Sequence, residues 1–156
     1  MKDLETLEDC NVFKQEEFSI LMIWAEGCGV CEVAKPQFEA LESKFDYNFY
    51  KMKFSKEAYD FYEQYEDKEV VKAPALDEDG DPILDASGRQ MTRTVFDENG
   101  EPVKRAPIAV PKYYVFHGEE ADDDNVYGLL GKVEGHNLEQ LEAILEQISN
   151  MEEEDG

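Results

Sequence analysis

The sequence has few cysteines and few positive charges. Its 156 residues include 3 cysteines, and 15 lysines and arginines stand against 38 aspartates and glutamates, giving a net charge of −23. Three cysteines, an odd number, do not form the disulfide framework of a small secreted protein. A surface this acidic repels phosphate backbones and anionic lipids. We therefore expect no nucleic-acid or membrane partner, whereas a basic protein partner would be attracted.

Long apolar segments are also missing. The longest, residues 20–25, is far too short to span a bilayer. Residues 1–11 are acidic and contain no apolar run, so we expect no signal peptide and a cytoplasmic protein. The length predicts a single domain over 1–150, followed by an acidic flexible tail at 151–156. We also expect a monomer.

What the sequence does contain is an alternation of strand and helix patterns. Strand patterns occur at 18–25, 47–54, 112–116 and 126–135. Apolar residues at helical spacing occur at 3–14, from the cysteines to 44, at 56–65, and at 137–148, where Asn137 is the predicted N-cap. The first strand, "FSILMIWA", is a continuous apolar run typical of burial on both faces. This order predicts an α/β fold with a central mixed sheet.

One short pattern occurs three times in residues 72–106. The copies are "LDEDGDPI", "LDASGRQM" and "FDENGEPV". In each copy Asp is followed three residues later by Gly, which is turn chemistry, because Asp accepts backbone amides and Gly supplies a positive φ. We therefore predict a β-hairpin insert over 72–106, serving as a flap, a docking arm or a stabilising addition.

Three aspartates in the first copy have the spacing that opens a calcium loop, namely Asp77, Asp79 and Asp81. An EF-hand needs Gly at its sixth position and Glu at its twelfth, where this sequence has Pro82 and Gly88. We expect no metal site.

The segment "CGVC" places Cys28 and Cys31 three residues apart. In the first turn of a helix, side chains at this spacing face the same side about 5–6 Å apart, which suits a disulfide. Spacing alone leaves three interpretations open: a redox pair, half of a structural zinc site, or two core cysteines. Zinc would need further ligands, for which Cys10, His117 and His136 are the candidates other than carboxylates.

The surroundings of the pair resemble the thioredoxin family. In "IWAEGCGVCEVAKPQF" a buried strand ends in Trp-Ala-Glu, Cys-x-x-Cys follows, and Pro36 lies inside the next helix. "AVPKYYVF" at 109–116 resembles the family's cis-proline and the strand after it, and "GKVEGHNLEQLEAIL" at 131–145 its last strand and closing helix. The resemblance covers about residues 1–71 and 107–150. It implies a thioredoxin-like three-layer fold into which the hairpins are inserted.

The same resemblance implies a thiol–disulfide oxidoreductase. Cys28 would be the nucleophile that attacks a disulfide-containing protein substrate, and Cys31 the resolving thiol. Pro111 should be cis and lie against the pair, while Val110 offers backbone groups to the substrate. The implied substrate contacts are Trp24, Gly27, Gly29, Val30, Val110 and Pro111. No metal or organic cofactor is implied, and a thiol reductase would supply the electrons.

Around the pair the sequence departs from the family pattern. Gly27 replaces a tryptophan, Val30 a proline, and Met22 a buried acid that assists proton transfer. Glu26 and Glu32 flank the cysteines, where they either oppose thiolate formation or, as solvent-exposed charges, have little effect on it. With the large insert, these differences leave an alternative function open: a non-catalytic binding module for a basic protein partner.

Overall fold

The computed structural model describes residues 2–107, 109–135 and 138–155, with side chains through 151. His136 and Asn137, a possible zinc ligand and the predicted N-cap, lie outside the described residues. The strands are β1 (Lys2–Leu4), β2 (Phe18–Trp24), β3 (Asn48–Lys53), β4 (Glu69–Val70), β5 (Lys72–Pro74), β6 (Thr92–Thr94), β7 (Lys104–Arg105), β8 (Lys112–His117) and β9 (Leu129–Glu134). The helices are α1 (Val12–Gln15), α2 (Gly29–Lys44), α3 (Lys56–Tyr62) and α4 (Leu138–Asp155), with 3-10 turns at Glu8–Asn11 and Gly118–Glu120.

Five strands form a mixed sheet in the order β1–β3–β2–β8–β9. β1 and β2 both run parallel to β3, and α2 is the crossover between β2 and β3. β8 pairs antiparallel with β2, and β9 pairs antiparallel with β8. β2 is therefore the central strand, and the segment that follows it emerges at the middle of one sheet edge.

Burial on both faces of the sheet explains the unbroken apolar sequence of β2. Residues 18–23 are all buried, and successive side chains alternate between the faces. Ile20 and Met22 belong to a buried cluster with Phe38 of α2 and Leu141 of α4. Helices α2 and α4 therefore cover one face.

An aromatic cluster covers the opposite face. Phe13 of α1 stacks on Phe116 of β8 with ring centres 4.5 Å apart, and it meets Tyr50 and Phe61 edge to face. α1 and α3 are thus held to the sheet largely through rings. With α2 and α4 on the other face, the predicted three-layer α/β fold with a central mixed sheet is confirmed.

The N-terminal segment differs from the helix predicted over 3–14. Lys2–Leu4 forms β1, and its last residue is buried where it pairs with Met52 at the edge of the sheet. The Asp9 carboxylate accepts two backbone amides from the turn before it, and α-helix begins only at Val12. The predicted helix is wrong in its first part, because pairing with a strand distant in sequence buries the leucine that a short helix would leave at the surface.

Helix α4 is longer than the predicted closing helix. Leu138, Leu141 and Leu145 are buried in the cluster that α2 shares. The helix continues through Asp155, into the segment for which the sequence predicts a flexible tail. None of the helices among the described residues has the length and apolar character of a membrane-spanning segment.

Contacts along the chain define two units, which we call the first unit (1–61 and 109–156) and the second unit (62–108). In the second unit β4 pairs antiparallel with β7, and β5 with β6. Its three turns have the predicted chemistry: the glycines have φ of +77° to +83°, and the aspartate of each copy accepts backbone amides. The hairpins predicted from the repeats are confirmed.

Two closed rings of backbone hydrogen bonds join these hairpins. In the inner ring Ala75 donates to Met91, Met91 to Ile83, and Ile83 to Ala75, at N–O distances of 2.8–3.0 Å. The outer ring is built in the same way by Val71, Val103 and Val95. The β5–β6 stem lies between the two rings. Each ring is therefore a junction at which three paths of the chain meet.

The second unit has very little buried surface of its own. Residues 76–93 are all exposed, and among the unit's described residues only Tyr62 and Ala106 are buried. Leu76 and Leu84 are more than half exposed. Backbone hydrogen bonds and turn side chains, rather than apolar packing, hold this unit in shape.

Candidate redox site

The cysteine pair lies where β2 gives way to α2. β2 ends at Trp24, and the chain turns at Gly27, whose φ of +75° lies in the left-handed region that side chains disfavour. A Cβ at Gly27 would meet nothing within 4 Å, so backbone conformation rather than space favours glycine there. Cys28 then occupies the N-cap of α2, which begins at Gly29.

Cys28 and Cys31 are bonded as a disulfide, with Cα atoms 5.2 Å apart. Cys28 Sγ accepts the backbone amide of Cys31 at 3.1 Å, which satisfies one of the unpaired donors of the first helical turn. Cys28 is partly exposed, whereas Cys31 is completely buried. An incoming sulfur atom can therefore reach Cys28 and not Cys31.

The proline that the resemblance implies lies next to this pair. The Val110–Pro111 peptide bond is cis, which confirms that expectation. β8 pairs with β2 in a register that places Lys112 opposite Ile23, and this brings Pro111 to the end of β2 where the cysteines lie. Cys28 Sγ is 3.8 Å from the carbonyl oxygen of Val110. Antiparallel pairing thus joins two segments that are 82 positions apart in the sequence.

The other predicted contact residues lie at different depths around Cys28. Gly27, Gly29 and Val30 are exposed, Val30 to 43%. Trp24 is half-buried, and the Nζ of Lys35 lies 3.2 Å from the centre of one of its rings. The exposed wall of the site is therefore the first turn of α2, and the shielded wall is the tryptophan with a lysine over its ring.

The backbone of the chain matches solved thioredoxin structures. A thioredoxin pre-protein from Schistosoma mansoni aligns with a TM-score of 0.54 at 16% identity, covering 94% of this chain and 95% of that one. The short form of spinach chloroplast thioredoxin f gives 0.56 at 13% identity, with coverages of 94% and 90%. Chlamydomonas reinhardtii thioredoxin f2 gives 0.57 at 12% identity, with 94% of each chain covered. The chain has the thioredoxin fold.

At the level of sequence the similarity is low. No protein-family model matches the chain, and no curated protein matches it. The match to thioredoxin structures therefore describes how the backbone is arranged, and the chemistry has to be argued from this chain's own residues.

In this thioredoxin fold both glutamates beside the pair have lysine partners. Glu26 binds the Nζ of Lys53, and Glu32 lies 3.5 Å from the Nζ of Lys35. The hydrogen bond and charge of Lys53, with a smaller contribution from the charge of Lys35, hold the pKa of Glu26 below its ordinary value. Each negative charge that flanks the cysteines is thus offset by a nearby cation.

Met22 occupies the position at which the thioredoxin family has a buried acid. Met22 is completely buried. Because methionine has no ionisable group, this position offers no carboxylate. Its partner across the sheet is Lys51, whose Nζ binds Glu39 at 3.0 Å. The charged residue beside Trp24 and Glu32 that the sequence analysis did not identify is Lys35. Its spacing of four residues from Cys31 on α2 is the signal that could have identified it.

The third cysteine, Cys10, is buried and free. Burial, reinforced by the charges of Asp9 and Glu57, raises the pKa of its thiol to about 12. At neutral pH it is therefore protonated and a poor nucleophile.

In the second unit, the carboxylate oxygens of Asp77, Asp79 and Asp81 lie within 4.8 Å of one another. All three residues are exposed, and Oδ1 of Asp77 accepts the backbone amides of the other two at 2.9 Å. The arrangement is that of an aspartate-stabilised turn, which explains the clustering without a metal.

Proposed function

We propose that the protein is a thiol–disulfide oxidoreductase that reduces or exchanges disulfides in protein substrates. The observation that carries the proposal is the depth difference within the pair, beside a cis-proline: Cys28 is reachable at the N-terminus of α2, and Cys31 is buried one turn later. Unpaired amides and the helix dipole at that terminus favour a thiolate on Cys28.

The reaction follows from this geometry in two exchanges. In the reduced protein the Cys28 thiolate attacks one sulfur of the substrate disulfide, which forms a mixed disulfide and expels the other substrate sulfur as a thiolate. The Cys31 thiolate then attacks Cys28 Sγ, which closes the protein disulfide and releases the second substrate thiol. Two electrons pass from the protein to the substrate. The short Cα separation allows this closure without movement of the backbone.

The substrate would bind as an extended chain beside Val110. The backbone groups of Val110 precede β8 and lie next to Cys28, and from this position they can pair with a substrate strand. The exposed Gly29 and Val30 and the half-buried Trp24 would form the surrounding contacts.

An electron donor must return the pair to the reduced form. We propose a thiol reductase in a cytoplasmic setting. The support for the reductase is a solved complex of thioredoxin f2 with ferredoxin:thioredoxin reductase, in which a chain of the same fold is bound to a reductase.

Insulin reduction, followed as turbidity with dithiothreitol as electron donor, tests the function. We expect the wild-type protein to accelerate precipitation and Cys28→Ser to remove the acceleration, because the attacking sulfur is lost. Cys10→Ala is the matched control and should retain the rate, since Cys10 lies outside the pair. A folded wild-type protein that gives only the rate of Cys28→Ser would rule the function out.

A second candidate, a non-catalytic module for a basic partner, is favoured by the second unit. Leu76 and Leu84 are exposed there and each is followed by a turn aspartate, which gives a surface suited to apolar and cationic side chains. A labelled lysine- and leucine-containing peptide distinguishes the candidates. Binding that survives Cys28→Ser/Cys31→Ser and weakens in Leu76→Ser/Leu84→Ser would support the module, and binding unaffected by the leucine changes would exclude it.

A further inference from the structure

We propose that Lys35 is a positioning residue that keeps the Cys28 thiol acidic. It does so by holding a positive charge beside the first turns of α2 and by offsetting the carboxylate of Glu32. The inference deepens the proposed function and rests on Cys28 as its attacking thiol. It replaces the expectation that the flanking glutamates either oppose the thiolate or have little effect on it.

The position of the Lys35 ammonium is fixed from two sides. Lys35 lies four residues after Cys31 on α2, and helical side chains lean toward the N-terminus, so its side chain extends toward the turn that carries the pair. Its Nζ is 3.2 Å from the centre of a Trp24 ring and 3.5 Å from Oε1 of Glu32. A cation over an aromatic face is attracted to it, and this contact keeps the charge in place.

Partial burial strengthens the effect of this charge. The Lys35 side chain is 19% exposed, whereas that of Lys53, which binds Glu26 on the turn before the pair, is 51% exposed. Water and salt screen an exposed charge more than a shielded one. Of these two cations, Lys35 therefore acts on its surroundings with less screening.

The charged groups on the elements around the pair form ion pairs. On the turn and β3 side these are Glu26 and Lys53, and on α2 they are Glu32 and Lys35. On the β8–β9 side, Lys112 lies 3.3 Å from Glu134. Removing Lys35 leaves Glu32 uncompensated one residue after Cys31. The neutral Met22 beneath α2 cannot replace the lost charge.

The test is the pKa of Cys28 in the reduced protein, read from the pH dependence of iodoacetamide alkylation at that residue. We expect Lys35→Met to raise this pKa by about 0.5 to 1 unit, because a nearby opposite charge favours the thiolate. Lys35→Arg should keep the wild-type value. The double variant Lys35→Met/Glu32→Gln, in which the local net charge is restored, should return the pKa close to wild type.

Lys51→Met is the matched control, since it removes an equal charge whose partner is Glu39. It should leave the Cys28 pKa unchanged. Equilibration with glutathione at pH 8 gives an independent readout. A less stable thiolate makes the reduced form less favourable. The equilibrium constant for reduction of the disulfide by glutathione should therefore be about three- to tenfold smaller in Lys35→Met than in wild type.

Two results would overturn the inference: an unchanged Cys28 pKa in folded Lys35→Met, or an equal rise in Lys51→Met. If Lys35→Met fails to fold, Lys35→Arg and Lys35→Gln give the same answer. The inference then expects a wild-type Cys28 pKa in Lys35→Arg and a raised Cys28 pKa in Lys35→Gln. Failure of the proposed function looks different. In that case the pKa would shift as expected while the wild-type protein reduces no insulin.

Discussion

The two units of this chain reach an ordered structure by different means. The first unit buries a sheet between helices, and rings such as Phe13 and Phe116 are completely inaccessible to water. In the second unit, the ring of Phe96 is 58% exposed, and order comes from paired backbone groups. Apolar burial and backbone hydrogen-bond pairing are therefore separable sources of structure, and one chain uses both.

Different properties of the side chains therefore determine stability in the two units. In the first unit residue volume matters, because the interior is close-packed. In the second unit it is the turn residues that matter, since aspartate and glycine define where each strand reverses. The same type of substitution should thus have effects of very different size in the two units, which the following measurements test in order of decreasing effect.

The largest contrast is expected between two phenylalanines. Phe13→Ala should lower the free energy of unfolding by about 3–5 kcal/mol, because it removes a ring that contacts several others and leaves a cavity. Phe96→Ala should change it by less than about 0.5 kcal/mol, because the ring is mostly in water already. Urea unfolding measures both. Similar losses in the two variants would show that the second unit depends on apolar contacts after all.

An intermediate effect is expected at the turn glycines. Gly100 has φ +77°, so Gly100→Ala should destabilise its hairpin by about 1 kcal/mol. Hydrogen exchange of the Val95 and Val103 amides, both in the outer ring, should accelerate about fivefold. Gly29→Ala is the matched change in the first unit, at a position without positive φ or close neighbours, and should leave those amides unaffected. Unchanged exchange in Gly100→Ala would mean that the ring does not depend on its turn.

The smallest effect concerns a single carboxylate of the second unit. A hydrogen bond from the Ser87 hydroxyl, followed by backbone amides, lowers the pKa of Asp85. Stability linked to this group is present above the ordinary aspartate pKa and is lost as pH falls through the lowered value. Ser87→Ala should raise the Asp85 pKa toward its ordinary value in a carboxyl NMR titration. Asp9, whose pKa the amides of Glu5 and Thr6 lower in the first unit, should stay unchanged and serves as the internal control.

Local chemistry predicted much of this structure. The apolar run of β2 could be recognised because burial on both faces leaves no polar position. The turns of the second unit could be recognised because the Asp-x-x-Gly pattern determines its own backbone. The cis state of the Val110–Pro111 bond came from resemblance alone, since nothing in the local sequence distinguishes a cis from a trans proline.

What could not be predicted depends on contacts between distant residues. β1 is three residues long, and its identity as a strand comes from pairing with β3 rather than from its own pattern. The backbone rings likewise join residues from three separate segments of the chain, which no local pattern specifies. Lys35 was overlooked because its contact with Trp24 requires both the strand and the helix in place.

The backbone rings make the length of the second unit adjustable. Each arm leaves a ring and returns to the same ring, as the chain does between Ile83 and Met91. An arm that starts and finishes at one point can be deleted or duplicated as a whole without changing the direction in which the rest of the polypeptide continues. Relatives of this protein that differ in this region should therefore differ by whole branches, each bringing its own aspartate and glycine, rather than by arbitrary numbers of residues.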